Sequence, residues 1–436
     1  MFNTFKQLIN VQYLFNLTQI KRSCLFTLTF LVFFHFLKDS FIEYYYLLAV
    51  VVTLSVVVLL FEKKLPKINY DFKLMFILIS FIIYLFVIVI ISLAYQDRLS
   101  VTSQDLWMGF GRLLITPLFI ILLCCLIESK QDFIKIANFY VILFIIGFIS
   151  IYIQNIYGHI PLFGNSYYGE SLDGSIRYGT IGYSSTIGSV VTYGACFFTA
   201  VLIVFLQNNI NPFFKGVLIS IIFSGAILSM SKGAFVNFFL TLMIMSVFIG
   251  KNQNWKVFLS ILICMTFFML SIANLYDAFV ALFTNTTGFE INEGLLDEKN
   301  YIPIYERVLS RLSLNNVELF YSIKDYLFGI GIYGGGGVFM VNNHYTSHNS
   351  YLDIYSMGGI LFIVITISLI VIVQIKLAYL YFASRDVLVL IFLLSNLLLF
   401  LNMFIFNGAL FHPLISFSFW ISLVYLLKLD FFNKAL

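Results

Sequence analysis

Arg307 and Arg311 stand four residues apart, so on a helix they are neighbours on one face. Two adjacent guanidiniums repel unless an anion lies between them, and their planar forks match phosphate oxygens. The pair suits either a pyrophosphate clamp or a surface helix held against anionic lipid headgroups. Arg112 lies inside an apolar stretch, where an uncompensated guanidinium is costly. It calls for an anionic ligand, for a carboxylate partner, or for headgroups reached by snorkelling. Arg98, Arg177, Lys232 and Lys324 add cationic groups outside the cytoplasmic set derived below. His344 and His348 fall in a polar segment, where a neutral imidazole either takes a proton from a hydroxyl group or is an ordinary surface histidine. Their spacing resembles a helical metal pair, but no carboxylate lies between them and the run Gly334 to Gly337 argues for irregular backbone, so no metal is expected. Gly329-Ile330-Gly331-Ile332-Tyr333-Gly334 is a weak nucleotide signal without a flanking strand and helix. A turn that lets backbone N–H groups approach a ligand is the other reading.

The elements that position these groups are membrane helices. Of 436 residues, 61% are hydrophobic and 11% charged, against roughly 45–50% and about 25% in soluble domains. Apolar stretches of roughly 18 residues or more are bilayer-spanning helices, because lipid offers the backbone no hydrogen bonds. Such stretches are expected near 23–38, 41–61, 73–94, 106–127, 133–157, 180–207, 213–229, 233–250, 257–275, 350–374, 386–406 and 410–428. The fold expected is an all-α polytopic transmembrane bundle of about 12 spans, with 1–275 carrying spans one to nine, 276–349 a large outward loop, and 350–436 the last three. The first span follows Lys21 and Arg22 without a small-residue cleavage site and reads as a retained helix rather than a signal peptide.

Cytoplasmic loops carry the excess of lysine and arginine. With an even span count and an inner N-terminus, sixteen of the 25 basic residues fall inside, which puts both termini in the cytoplasm and leaves two substantial outward loops, 158–180 and 276–349. The second is far longer than a helix connection requires. Within it Tyr301, Ile304, Tyr305, Val308, Leu309 and Leu312 recur at helical spacing, as in an amphipathic helix lying along the membrane surface. The five cysteines, Cys24, Cys124, Cys125, Cys196 and Cys264, all fall in or beside apolar stretches, with no disulfide or metal spacing. No basic run interleaves with aromatics, which excludes a nucleic-acid partner.

Four segments resemble, in order over residues 170–375, those of the O-antigen polymerase and O-antigen ligase family. Ser229-Met-Ser-Lys-Gly-Ala234 resembles its Ser-Arg-Gly motif, with Lys232 where the family has arginine, which keeps the charge and loses the bidentate fork. Ser347-His-Asn-Ser-Tyr-Leu-Asp353 resembles its His-Asn-x-Tyr-Leu motif. Arg177-Tyr-Gly-Thr180 resembles its outward arginine loop. Arg311 with Leu327-Phe-Gly-Ile-Gly331 resembles the arginine helix and Gly-x-Gly turn before the histidine. The N-terminal third matches in hydropathy alone.

The resemblance implies a glycosyltransferase of the bacterial inner membrane with a periplasmic site and no cofactor. Its donor and acceptor would be undecaprenyl-pyrophosphate-linked oligosaccharides, its surroundings membrane lipids, and a chain-length regulator protein a further partner. Arg112, Arg177, Lys232, Arg307 and Arg311 would bind the pyrophosphate. His348 would take the acceptor proton, with Asp353 orienting it or serving as the base itself. A polymerase is favoured over a ligase that transfers the polysaccharide to lipid A core. A flippase for the same lipid-linked sugar is a third reading, and it lacks the internal repeats common in transporters.

Overall fold

The computed structural model describes residues 19–21, 23–27, 52–53, 55–56, 71–95, 113, 120–158, 160, 176–177, 180–181, 190–229, 231–250, 254–272, 275–276, 279, 328–329, 331, 349–406, 409–412 and 414–433. Among these the architecture is helical: α1 (Phe72–Tyr95), α2 (Lys130–Tyr157), α3 (Val190–Leu206), α4 (Pro212–Leu228), α5 (Lys232–Val247), α6 (Asn254–Ser271), α7 (Ser350–Ser384), α8 (Val387–Asn402) and α9 (Phe417–Asn433). One pair of two-residue strands, β1 (Ile176–Arg177) and β2 (Thr180–Ile181), lies between α2 and α3.

Among the described residues, four helical stretches are long and apolar enough to cross a membrane, namely Phe72–Ala94, Lys130–Tyr157, Asn254–Ser271 and Ser350–Ser384. The other helices are apolar and shorter. Local sequence sets their ends. The Ser129 N–H donates to the Asp132 carboxylate at 2.9 Å, closing the start of α2. Asn211 accepts from the Phe213 N–H and precedes Pro212 at the first position of α4. Asp386 accepts from the Leu388 N–H to begin α8.

The core is built around α3, whose residues from Thr192 to Leu206 are buried on every side, as a helix apolar all round must be. Tyr193 donates from α3 to the Phe144 carbonyl of α2 at 3.2 Å and reaches the Ile222 carbonyl of α4 at 3.3 Å, so its hydroxyl is satisfied inside the bundle. By contrast, Phe72, Phe76, Ile79, Ile83, Phe86, Ile90 and Leu93 form an exposed stripe along α1 at three- and four-residue intervals, the surface a helix turns toward hydrocarbon.

From α2 to α9 successive helices alternate in direction, α1 runs parallel to α2, and the bundle has two ends. At one, Asp71 before α1 pairs with Lys376 of α7, Lys130 pairs with Asp386, and Lys21 pairs with Glu128 at 2.7 Å. Lys215 donates to the Phe205 carbonyl and Lys428 to the Ile127 carbonyl, each at 2.9 Å. We call this the Asp71 end. The opposite one, the Ser350 end, holds the start of α3, the turn between α4 and α5, the start of α7 and the connection from α8 to α9. The chain leaves α2 and re-enters at α3 on this side, and likewise leaves α6 and re-enters at α7.

Three helices differ from the expected stretches. α7 continues ten residues beyond 374 to Ser384, because Lys376 is met by Asp71 and does not end the apolar run. α3 begins at Val190 rather than 180, since Thr180 and Ile181 pair with Arg177 and Ile176. α9 begins at Phe417 rather than 410, after turns and a short 3-10 helix, Ala409–Phe411. Of the expected spans, 23–38 is described only at 23–27, 41–61 only at 52–53 and 55–56, and 106–127 only at 113 and 120–127, and the surface helix from Tyr301 to Leu312 lies outside the described residues.

Candidate active site

Asn349 starts α7. Its side chain accepts from the Tyr351 and Leu352 N–H groups at 2.9 and 3.2 Å, so the asparagine of the His-Asn-x-Tyr-Leu resemblance is here a helix cap. Ser350 follows and is 1% exposed. Its N–H donates to the Met403 carbonyl at 2.7 Å, its hydroxyl donates to the Phe406 carbonyl, and the Ala409 N–H donates to that hydroxyl at 2.9 Å. Tyr351 adds a bond from its hydroxyl to the Phe400 carbonyl at 3.1 Å. Asp353, in the first turn and 1% exposed, stands where the positive end of the helix dipole favours a carboxylate.

Phe406 is shared with a second segment. Gly233 lies against its ring so closely that any side chain there would overlap it. Gly233 is the second residue of α5, so Lys232, the first, enters the bundle beside the same connection that binds Ser350. Ser231 and Ala234 press in turn on Gly194 of α3, whose carbonyl accepts from Asn237 at 2.8 Å.

A third segment docks on α7. Gly359 has φ 69° and breaks the helical course six residues, nearly two turns, beyond Asp353, a conformation that glycine adopts without a Cβ clash. The carbonyl of Gly358 at this kink accepts from Tyr84 of α1 at 2.7 Å. Gly329, also with positive φ, lies on the Ser356 and Met357 backbone, and Gly331 lies on Ser92 of α1. Gly329 and Gly331 thus pack closely on the kink of α7 and on Ser92 of α1.

Two of the other resembling segments thus reach α7 separately: the start of α5 through Phe406, which Ser350 also binds, and the Gly329 turn through the Ser356 and Met357 backbone. The fourth is partly described. Arg177 sits in β1 opposite Thr180 of β2, so Arg177-Tyr-Gly-Thr180 closes a hairpin. Arg112, Arg307, Arg311, His344 and His348 lie outside the described residues, and for Arg177 and Lys232 the backbone alone is described. Among the described residues no group of His, Cys, Asp and Glu could hold a metal ion.

Chemically, the arrangement offers a buried carboxylate in the first turn of α7 and two helix amino-termini, those of α5 and α7, on either side of Phe406. Helix amino-termini favour anions. A cavity of about 130 Å³, lined by Phe205, Asn208, Phe248, Asn254 and Arg385 among others, lies at the Asp71 end and is not part of this constellation. Sequence reasoning missed Ser350, Tyr84, Ser92 and Phe406. The adjacent Gly358 and Gly359 within an apolar stretch were the one available signal of a break. No family model matches the chain, and no curated protein and no solved structure matches it either.

Proposed function

We propose that the chain is an O-antigen (surface polysaccharide) polymerase of the bacterial inner membrane, an inverting glycosyltransferase of about 12 spans with both termini cytoplasmic. It joins undecaprenyl-pyrophosphate-linked repeat units at the Ser350 end, which faces the periplasm. The observation that supports this is that two segments distant in sequence, at Gly233 and Gly329, both reach α7, the first through Phe406 at Ser350 and the second at the kink. A helix bundle packed only for stability has no need to bring the segments that carry the resemblance to one helix.

In this reading His348 takes the proton of the acceptor hydroxyl, and that oxygen attacks the anomeric carbon from the face opposite the pyrophosphate. The bond from the anomeric carbon to the pyrophosphate oxygen breaks with inversion. Arg112, Arg177, Lys232, Arg307 and Arg311 carry the charge of the departing diphosphate, aided by the helix amino-termini. Asp353 orients the imidazole.

Purified protein in vesicles, supplied with lipid-linked repeat units and no gradient, is expected to yield a ladder of polymer. His348→Ala is expected to abolish the ladder, and Arg311→Lys to weaken it, because lysine lacks the bidentate fork. A ligase would instead need lipid A core as acceptor, and a transporter would yield no polymer. Full polymer from His348→Ala at normal protein levels would remove the base assignment.

A further inference from the structure

The first turn of α7 is held more firmly than a helix start requires. Asn349 already caps it, yet Ser350 adds three hydrogen bonds, all to the connection between α8 and α9: from its N–H to Met403, from its hydroxyl to Phe406, and to its hydroxyl from Ala409. None of these is needed to form the helix. Their partner, Phe406, is also the residue whose ring packs on Gly233 beside Lys232. The route from the first turn of α7 to the amino-terminus of α5 therefore passes through one hydroxyl, one carbonyl and one ring, all buried.

We infer that Ser350 is a positioning residue for the transfer: it fixes the turn that carries Asp353 and directly follows His348 in sequence, at a set distance from the start of α5 and its Lys232. This rests on the transferase reading and deepens it. A hydroxyl is the smallest group that donates to one backbone carbonyl and accepts from one N–H at the same time. Alanine does neither, and threonine does both at the expense of one methyl group. Displacing a catalytic turn by even an ångström lowers turnover far more than it lowers binding.

The test compares wild type, Ser350→Ala, Ser350→Thr and Tyr351→Phe in vesicles with lipid-linked repeat units, reading kcat, KM and the melting midpoint of each. Ser350→Ala is expected to lower kcat at least about tenfold with KM within about threefold, and with a midpoint a little below that of Tyr351→Phe, since it loses two hydroxyl bonds to the other's one. Tyr351→Phe also loses one hydroxyl bond of this turn, but to α8 and not to the connection, so its kcat is expected to stay near wild type. Ser350→Thr is expected to recover most of the loss. Unchanged kcat in Ser350→Ala, a loss shared equally by Tyr351→Phe, or a loss confined to KM would each overturn the inference while the transferase reading stands. A wild-type protein that makes no polymer would overturn the transferase reading itself, and the inference with it. Should Ser350→Ala not be recovered folded, Ala409→Pro carries the test. It deletes the N–H that Ser350 accepts from, at the first position of the short 3-10 helix, where proline is tolerated. A kcat loss of about threefold is then expected, and no loss would overturn the inference.

Discussion

The two ends of the bundle are joined by different physics. At the Asp71 end, helices meet mostly through full charges, Asp71 with Lys376, Lys130 with Asp386, Lys21 with Glu128, and the ammonium groups of Lys215 and Lys428 on main-chain carbonyls, with one close glycine contact, Gly216 of α4 on Ser260 of α6. At the Ser350 end they meet through neutral hydroxyls on carbonyls and through glycines so close to their neighbours that a Cβ would collide. Charge pairs tolerate some movement and respond to salt and pH. Close steric contacts and short neutral hydrogen bonds do neither. The end with the rigid construction is the one where the candidate site lies, as preorganised chemistry requires.

Steric fit should therefore produce the largest effect. Gly233→Ala forces a methyl group into the Phe406 ring, and overpacking of this kind costs about 1–3 kcal/mol. Unfolding of the purified protein in detergent should register that loss, and on the polymerase reading polymer formation should fall with it. Adding Phe406→Leu should return part of both, because the two positions share one contact and their effects are then coupled. Equal and additive losses would mean that the ring and the glycine are not joined as described.

A smaller effect is expected from Tyr84→Phe, which removes the hydroxyl that donates to the Gly358 carbonyl at the kink of α7. The net cost should be about 0.5–1.5 kcal/mol, the usual net contribution of one neutral intramolecular hydrogen bond. Because both partners are neutral, the cost should be the same at low and at high salt. A marked salt dependence in the same unfolding measurement would break the contrast between the two ends.

Much of the helical frame was legible because hydropathy reports it directly: the stretches expected at 73–94, 133–157 and 213–229 correspond to α1, α2 and α4 within a few residues. Where hydropathy misled, a tertiary partner was the reason. Lys376 reads as a boundary until Asp71 meets it. The expected span begins at 410, although Ala409–Phe411 form a short 3-10 helix, where the Ala409 N–H donates to Ser350 and the Leu410 carbonyl accepts from the Trp420 indole at 3.1 Å. For the site, the sequence identified segments and not their contacts. It marked Gly329 and Gly331 as a glycine-rich turn, and could not show that they pack on Met357 and on Ser92. It marked Lys232 and Asp353 by charge, while Ser350 and Phe406, which join their two helices, carry no charge and follow no spacing rule.

The smallest expected effect belongs to the Asp71 end. The Lys376 ammonium, hydrogen-bonded to Asp71, holds the Asp71 carboxyl below the usual carboxylate range, with the Leu74 N–H assisting. A carboxylate depressed in the folded state stabilises it above the unfolded pKa, and that contribution disappears as pH falls through the folded value. Asp71→Asn is the variant to use, because asparagine still caps α1 through the Leu74 N–H while removing the charge. At neutral pH it should cost about 0.2–1 kcal/mol, the range for a pair partly open to solvent. The difference from wild type should shrink on acidification below the carboxylate range, and also in high salt. Unfolding midpoints measured across pH and ionic strength would reveal it, and a deficit that stayed constant in both would assign Asp71 a steric role like those of the glycines at the Ser350 end.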